Sequence, residues 1–233
     1  MDYPRVKFGY NREKDLWNLK IGLELTSKGR RPDRELSEII QRYGQKPTEE
    51  NLQDYLNLRW QDKKPIIDLV IKQLPEYWDA IEEKFFIHLA DRMQLDSYFG
   101  VSELQGFFSS RYGCGYNPGE NYFAVSLHNG TLQNTCVTMH EIMHIFFHKQ
   151  WWKLCQEQDV LEKNIWDIKE ATTVLLNSWF KNQLIDYDWG HEEHTELRKL
   201  IQKSFLESHD FKKTLLIACD YAKTNQEKSP SWI

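Results

Sequence analysis

Hydrophobic residues recur every three or four positions along most of the chain, which is the spacing of amphipathic helices. In the N-terminal third, four such segments follow one another: DLWNLKIGLEL, RELSEIIQRYG, NLQDYLNLRW and PIIDLVIKQL. Pro32, Pro47 and Pro65 each stand close to an expected helix start, a position that proline favours. The pattern predicts a helical N-terminal region over residues 1–75.

A longer helix is predicted next, in the segment PEYWDAIEEKFFIHLADRMQL. Its apolar residues Trp78, Ile81, Phe85 and Leu89 lie three or four positions apart, so they share one helix face. The shorter stretch FFIHLA also fits a strand, but the continuous helical spacing favours one helix.

The helical pattern stops between Tyr98 and Leu127, where glycine, proline and asparagine accumulate. NYFAVSL, residues 121–127, has the length and residue types of a strand. The edge of this strand could bind an extended peptide by strand addition. Helical spacing resumes after Asn129 and continues to about Lys223.

Together these patterns predict an α+β protein, mainly helical, with a small central β-sheet. Residues 76–233 would form the larger unit of the protein, and the helical region 1–75 would pack on it. A chain of 233 residues with 40% hydrophobic and 14% aromatic content can bury one core with a small annex.

Charge and cysteine content narrow the choice of partners and compartment. The formal net charge of -5 gives no general attraction to nucleic acid. No apolar run reaches the roughly 18 residues that span a bilayer, and the chain does not begin with an export signal. We therefore expect a cytoplasmic protein without a membrane span. The four cysteines form no CxxC pair and are expected to be free thiols, and no feature indicates an oligomeric state.

The motif HEIMH, residues 140–144, is an HExxH pattern. His140 and His144 lie one turn apart on the same helix face, so both imidazoles can bind one ion. Glu141 is rotated by about 100° and can reach a water on that ion without binding the metal itself. No glycine or proline interrupts the segment after Thr131, which is the expected N-cap of the helix. Zn2+ with Glu141 as general base is the leading interpretation; a histidine pair beside a chance glutamate is the alternative.

A catalytic zinc ion usually has three protein ligands, so the motif needs one more residue. His148 continues the spacing, but its Cα lies about 12 Å along the axis from that of His140, too far for a straight helix to bring both to one ion. Glu170 is the better candidate, because NIWDIKEATTVLLNSWF predicts a second helix that can direct a carboxylate toward the ion. Asp167 and Glu162 on the same helix are the remaining alternatives.

His140, Glu141 and His144, followed 26 residues later by Glu170, resemble the pattern of the gluzincins, the thermolysin-like branch of the zincin metallopeptidases. The resemblance covers about residues 98–180, and it implies that residues 76–233 form a zincin-like metallopeptidase domain. It implies an edge strand that binds substrate, an active-site helix and a helix that carries the glutamate ligand. It also implies a zinc-dependent peptidase acting on a peptide or protein substrate.

The chain departs from the family around its glutamate, where gluzincins carry NExxSD. Lys169 precedes Glu170, Thr173 stands in place of the serine, and Val174 replaces the aspartate that would orient a ligand. The longer HExxHxxGxxH pattern of the metzincins is absent, since Phe147 occupies its glycine position.

The resemblance also implies a mechanism, in which Glu141 accepts the proton of a metal-activated water and a further donor stabilises the oxyanion. Gluzincins often place a histidine beyond the glutamate helix, which favours His194; His191, Tyr116 and Tyr122 are rivals. Two other functions remain open: a zinc hydrolase acting on a non-peptide amide, and a non-catalytic zinc-containing binding or regulatory protein.

Overall fold

A computed structural model describes residues 3–184 and 186–225. The chain is 65% helical and contains a mixed sheet of four strands, so the predicted α+β class with a mainly helical chain and a small sheet is confirmed. The strands are β1 (Arg5–Tyr10), β2 (Glu103–Ser109), β3 (Tyr116–Asn117) and β4 (Tyr122–Ser126).

In the described part of the chain, one group of helices lies between β1 and β2 in sequence, and a second group follows β4. Before β2 they are α1 (Arg12–Ser27), α2 (Arg34–Tyr43), α3 (Glu49–Asp79) and α4 (Glu82–Arg92). After β4 they are α5 (Thr131–Phe146), α6 (Trp152–Glu157), α7 (Glu162–Thr172), α8 (Leu176–Trp179), α9 (Thr195–Ser208) and α10 (Phe211–Thr224). A π-helical turn, Phe147–Trp151, joins α5 to α6, and 3-10 turns precede α8 and α9.

The strand order is β1-β2-β4-β3, with the first three strands parallel and β3 antiparallel to β4. The predicted position of NYFAVSL at the sheet edge is therefore wrong. β2 lies on one side of β4, and on the other side β3 pairs Tyr116 with Phe123 and Asn117 with Tyr122. The turn-rich segment before β4 folds back as a strand, which makes β3 the margin of the sheet nearest to α5.

Side chains of a strand alternate between the two faces of a sheet, so each face can pack against its own apolar cluster. The two clusters on this sheet differ greatly in size. Leu104 and Phe108 of β2 face the main core, which α3, α4, α5, α7, α9 and α10 cover. Phe107 of β2 and Tyr122 of β4 face the other way and pack against Trp17 of α1. A separate small cluster joins α1, α2 and α3.

Strand β1 has no counterpart in the sequence prediction, although Val6, Phe8 and Tyr10 alternate with less apolar residues. Its parallel partner β2 begins at Glu103, so no local pattern indicates the pairing. The helix α3 crosses the expected domain boundary at residue 75 without interruption. The boundary therefore does not coincide with the end of a structural element, and β1 belongs to the same sheet as the central strands.

Two predicted helix boundaries in the first half of the chain need correction. Pro32 and Pro47 precede α2 and α3 as expected, but Pro65 lies inside α3 rather than at a helix start. Proline removes one helical hydrogen bond, and because Gln61 is exposed, water can bind the carbonyl that loses its donor. The single helix predicted over residues 75–95 is divided, since α3 ends at Asp79 and α4 begins at Glu82.

The N-terminus of α5 also differs by one residue from the expectation. Gly130 occupies the N-cap position and Thr131 is the first helical residue. Within the described residues, no helix is both long enough and apolar enough to span a bilayer. All four cysteines are free thiols; Cys136, Cys155 and Cys219 are buried, whereas Cys114 is partly exposed.

Candidate metal centre

The HExxH motif lies in the last two turns of α5, whose neighbouring apolar residues Met139, Ile142 and Met143 are fully buried. The helix is buried on most of its surface, and the His140 and His144 rings project toward Glu170 of α7. The two ring centroids are 4.2 Å apart in an edge-to-face arrangement. The spacing of four residues therefore places both imidazoles side by side, as the sequence predicts.

Glu170 reaches both imidazoles from α7. Its Oε2 atom lies 3.2 Å from Nε2 of His144 and 3.5 Å from Nε2 of His140. One ligand atom each of His140, His144 and Glu170 can be chosen so that all three atoms lie within 4.8 Å of one another. The structure thus brings His140, His144 and Glu170 together from two helices.

These distances suit a metal ion as well as direct hydrogen bonds. In a tetrahedral zinc site with bonds of about 2.0–2.1 Å, two ligand atoms lie roughly 3.3–3.4 Å apart. The side chain of His144 is 1% exposed, whereas those of His140 and Glu170 are 21% and 23% exposed. The donor set of two nitrogens and one oxygen therefore fits Zn2+, with one side of the group open to solvent.

The charges around the group set the protonation of each of its members in the metal-free protein. Burial would raise the pKa of Glu170, but the Lys169 ammonium and the two imidazoles hold it well below its ordinary value. Burial, reinforced by Lys169, holds the pKa of His144 well below its ordinary value, so this ring is neutral. Burial acts to lower the pKa of His140 as well, but the Asp188 carboxylate outweighs it and raises that pKa to about 10.

Glu141 is buried beside these groups, and its Oε2 atom has no hydrogen-bond partner among the described residues. Burial raises the pKa of Glu141 to about 7; the His140 ring opposes this shift and the Glu170 carboxylate adds to it. A buried carboxylate without a partner is costly, so its presence here needs a reason other than folding stability. Glu141 is chemically suited to accept a proton.

Asp188 supplies a contact that the sequence analysis did not predict. Its Oδ2 atom lies 2.6 Å from Nδ1 of His140 and so directs Nε2 of that ring toward Glu170. A carboxylate that accepts from the second nitrogen of a histidine is a common support for metal ligation. Asp188 thus provides, from a loop, the kind of carboxylate that Val174 cannot provide from the glutamate helix.

The Asp188 loop is itself held by buried hydrogen bonds. Arg198 donates to Oδ1 of Asp188 at 3.1 Å and to Oγ1 of Thr173 at 3.0 Å. Asn177 donates to the Asp188 carbonyl at 3.0 Å and accepts from its N–H at 2.8 Å. Gly190 has a φ of +63°, and a Cβ there would lie 2.4 Å from Nη1 of Arg198. No sequence periodicity signals this loop, although Gly190 marks its turn.

A second chain of contacts lies on the other side of Glu170. Lys169 donates to Oε1 of Glu170 at 2.7 Å and to the Tyr116 hydroxyl at 2.8 Å. That hydroxyl lies 2.8 Å from Nε2 of His148. His148 stands in the π-helical turn, stacks on Trp152 and is outside the three-residue group. Burial lowers the pKa of His148 to about 4, with Lys169 acting in the same direction.

The remaining predicted residues occupy other positions. Nε2 of His194 lies 3.0 Å from Oδ1 of Asp167, one turn before Glu170, and no contact joins His194 to the three-residue group in the described part of the chain. Tyr122 packs against Trp17 on the opposite face of the sheet. Tyr116 is close to the group, since its ring centroid is 5.2 Å from that of His144.

His191 and Glu162, two further alternatives, lie at the protein surface. Searches of protein-family models, curated proteins and solved structures find no match to this chain.

Proposed function

We propose that this protein is a zinc-dependent metallopeptidase in which His140, His144 and Glu170 bind the metal and Glu141 is the general base. The observation that carries the proposal is the convergence of two imidazole nitrogens and one carboxylate oxygen within 4.8 Å, from two different helices. Three protein ligands with one open side are typical of catalytic rather than structural zinc sites.

Glu141 favours catalysis over a purely structural role. A structural zinc site usually has four protein ligands and needs no base beside it. Here a buried carboxylate adjoins the first ligand in sequence and has an oxygen without a hydrogen-bond partner among the described residues. That oxygen is free to accept a proton from a water molecule, which is the role of the glutamate in an HExxH motif.

Each residue then has a distinct task in hydrolysis. A bound zinc ion supplies Lewis-acid chemistry, because it lowers the pKa of a coordinated water and polarises a carbonyl. Glu141 accepts the proton of the attacking water and transfers it to the leaving amine. Asp188 keeps the His140 ring in the orientation that turns Nε2 inward.

His194 remains our proposed donor to the oxyanion, with one condition set by its surroundings. Its Nε2 faces the Asp167 carboxylate at 3.0 Å, so Nε2 carries the proton of the neutral ring. Nδ1 has no partner among the described residues and can donate only when the ring is positively charged. Tyr116 is the nearer alternative, whereas the position of Tyr122 on the far face of the sheet counts against it.

The choice of a peptide substrate rests mainly on the HExxH resemblance and on the sheet margin beside α5. The short strand β3 ends the sheet on that side, and no further strand lies beyond it among the described residues. An extended peptide can bind such a margin by main-chain hydrogen bonds. The location of the protein in the cytoplasm likewise stays a prediction, which cell fractionation would test.

The deciding experiment compares zinc content and peptide cleavage in the full-length wild type and two variants. We expect Glu141→Gln to keep stoichiometric zinc but to lose turnover by about 10² to 10⁴-fold, the usual contribution of a general base. We expect Glu170→Ala to lose zinc during dialysis. Glu162→Ala, which changes an exposed glutamate of the same helix, is the matched control and should behave as wild type.

Each outcome tests a separate part of the proposal. Equal zinc content in wild type and Glu170→Ala would contradict the assignment of the third ligand. Zinc-loaded wild type that cleaves no member of a peptide library would contradict the peptidase activity and favour a non-catalytic zinc protein. Cleavage confined to small non-peptide amides would favour a different amide hydrolase.

A further inference from the structure

Lys169 has an unusual environment for a lysine. Its side chain is 1% exposed, and it directly precedes Glu170 on α7. An ammonium group is costly to bury unless its N–H donors find partners. A buried lysine next to a candidate metal ligand therefore calls for a structural explanation.

The ammonium group of Lys169 is fully surrounded by acceptors and aromatic rings. Nζ donates to Oε1 of Glu170 at 2.7 Å and to the hydroxyl of Tyr116 at 2.8 Å. The ring centroids of Tyr116 and Trp166 lie 4.6 Å and 4.4 Å from Nζ, within the range of cation–π attraction. The lysine is thus held in one position from three directions.

This arrangement divides the two oxygens of the Glu170 carboxylate between two partners. Oε1 accepts from Lys169, while Oε2 faces Nε2 of His144 and Nε2 of His140. Rotation of the carboxylate to offer both oxygens to one ion would break a short, buried, charge-assisted hydrogen bond. Oε2 is therefore the oxygen that this arrangement presents to a metal ion beside the two imidazoles.

We propose that Lys169 is a positioning residue that restricts Glu170 to ligation through a single oxygen; this inference rests on the proposed zinc site. One-oxygen ligation leaves a tetrahedral position for water or substrate, which two-oxygen ligation would crowd. The sequence places Lys169 where gluzincins carry asparagine, so this contact belongs to the present chain rather than to the family pattern.

A carboxamide at position 170 makes the inference sharply testable. In Glu170→Gln, Lys169 can only donate, so it would hold the amide oxygen and turn the NH₂ group toward the metal. An NH₂ group is a donor and cannot bind zinc. If Lys169 is also replaced, the amide is free to rotate and to offer its oxygen to the ion.

The experiment measures affinity for Zn2+ alone, by chelator competition, in four full-length proteins: wild type, Lys169→Met, Glu170→Gln and the double variant. We expect Lys169→Met to weaken binding by about 10 to 100-fold, as is usual for loss of a residue that orients a ligand. We expect Glu170→Gln to weaken it by at least about 100-fold. The double variant should then bind about tenfold more tightly than Glu170→Gln, so the lysine replacement has opposite effects in the two backgrounds.

Cobalt(II) provides a second readout that does not depend on activity. Four-coordinate cobalt absorbs visible light more strongly than five-coordinate cobalt. We expect the Lys169→Met protein to show the weaker spectrum, because Glu170 can then bind through both oxygens. Lys163→Met, at a half-buried lysine of the same helix, is the matched control and should leave both readouts unchanged.

The outcomes separate this inference from the proposed function. A wild type that binds neither metal overturns both. A wild type that binds zinc while Lys169→Met has the same affinity and cobalt spectrum overturns the inference alone, as does a double variant that binds no better than Glu170→Gln. If circular dichroism shows that Lys169→Met does not fold, Lys169→Gln replaces it, because glutamine keeps a neutral donor for Oε1. We expect Lys169→Gln to bind Zn2+ with an affinity between those of wild type and Glu170→Gln. Wild-type affinity and a wild-type cobalt spectrum in Lys169→Gln would overturn the role of the lysine charge.

Discussion

Two buried polar groups of this protein differ in how completely their atoms are paired. The first is centred on Asp15 of α1, which accepts hydrogen bonds from residues at the end of β2. The second is the candidate metal centre. Both are largely withdrawn from solvent and both contain carboxylates. Their comparison separates a carboxylate whose oxygens are all paired from carboxylates that retain an unpaired oxygen.

Asp15 is fully buried, and both of its oxygens accept hydrogen bonds. Oδ1 accepts from the backbone N–H of Ser110 at 2.7 Å and from the Ser109 hydroxyl at 2.8 Å, and Oδ2 accepts from the Ser110 hydroxyl at 2.8 Å. Asn18 of the same helix also donates to the Ser109 hydroxyl at 2.8 Å. The group attaches the N-terminal helices to the central sheet.

The candidate metal centre is less completely paired. Oε2 of Glu141 and Nδ1 of His144 are buried without partners among the described residues, and a second carboxylate, Glu170, lies close to Glu141. Unpaired buried polar atoms occur elsewhere in the described residues as well, for example at Asn134 and Trp179. What distinguishes the candidate site is that an unpaired carboxylate oxygen lies beside two imidazoles and a second carboxylate, an arrangement typical of functional sites.

The largest expected effect is at the structural group. Asp15→Ala leaves three buried donors without an acceptor and should lower the free energy of unfolding by about 3–5 kcal/mol. Ser110→Ala removes only one side-chain donor and should cost about 1 kcal/mol. Urea unfolding measures both. Wild-type stability of Asp15→Ala would show that these contacts contribute little, and the comparison would fail.

Metal addition should stabilise the other group. Zinc at a hundredfold excess over its dissociation constant should raise the free energy of unfolding by about 2.7 kcal/mol, because it binds the folded chain. Thermal unfolding with zinc and with chelator measures the difference. The increment should persist in Ser110→Ala and be lost in Glu170→Ala. Identical melting of wild type with and without zinc would contradict a metal site.

Asp188 should matter for metal affinity rather than for folding alone. Asp188→Asn removes the charged acceptor from Nδ1 of His140, so the zinc dissociation constant should rise by about 10 to 100-fold. Asp186→Asn, in the same loop and without a contact to His140, should leave the constant unchanged. Chelator competition measures both dissociation constants. Equal zinc affinity of Asp188→Asn and Asp186→Asn would contradict the proposed role of Asp188.

The smallest expected effect is a gain of stability. In metal-free protein, Glu141→Gln removes a buried charge near another carboxylate and should raise the free energy of unfolding by up to about 1 kcal/mol. Glu162→Gln, at an exposed site, should have no effect. A clear loss of stability in metal-free Glu141→Gln would mean that this carboxylate supports the fold, contrary to the comparison.

Much of the candidate site follows from local sequence patterns. The spacing of His140 and His144 places both on one helix face, and the periodicity after Glu162 predicts the helix that carries Glu170. The same helix geometry argued against His148, which the structure finds bonded to Tyr116. These predictions succeed because helical spacing alone determines which side chains share a face.

Other features depend on contacts between distant segments. β1 pairs with β2, although the helices α1 to α4 lie between these two strands in the sequence. β3 pairs with the outer side of β4, the strand that was expected at the sheet edge. Asp188 reaches His140 from an irregular loop 48 residues away, and Lys169 meets Tyr116 from 53 residues away. None of these pairs shares a helix or strand, so no periodicity indicates them.

The sequence by itself determined the helical class, the small sheet and a motif with two histidines and a glutamate on one helix. It did so because hydrophobic spacing reports neighbours along a single element. Only the tertiary structure decided which carboxylate orients His140 and which oxygen of Glu170 faces the two imidazoles. Those choices depend on how elements pack against one another, and packing brings together atoms whose separation in sequence carries no regular pattern.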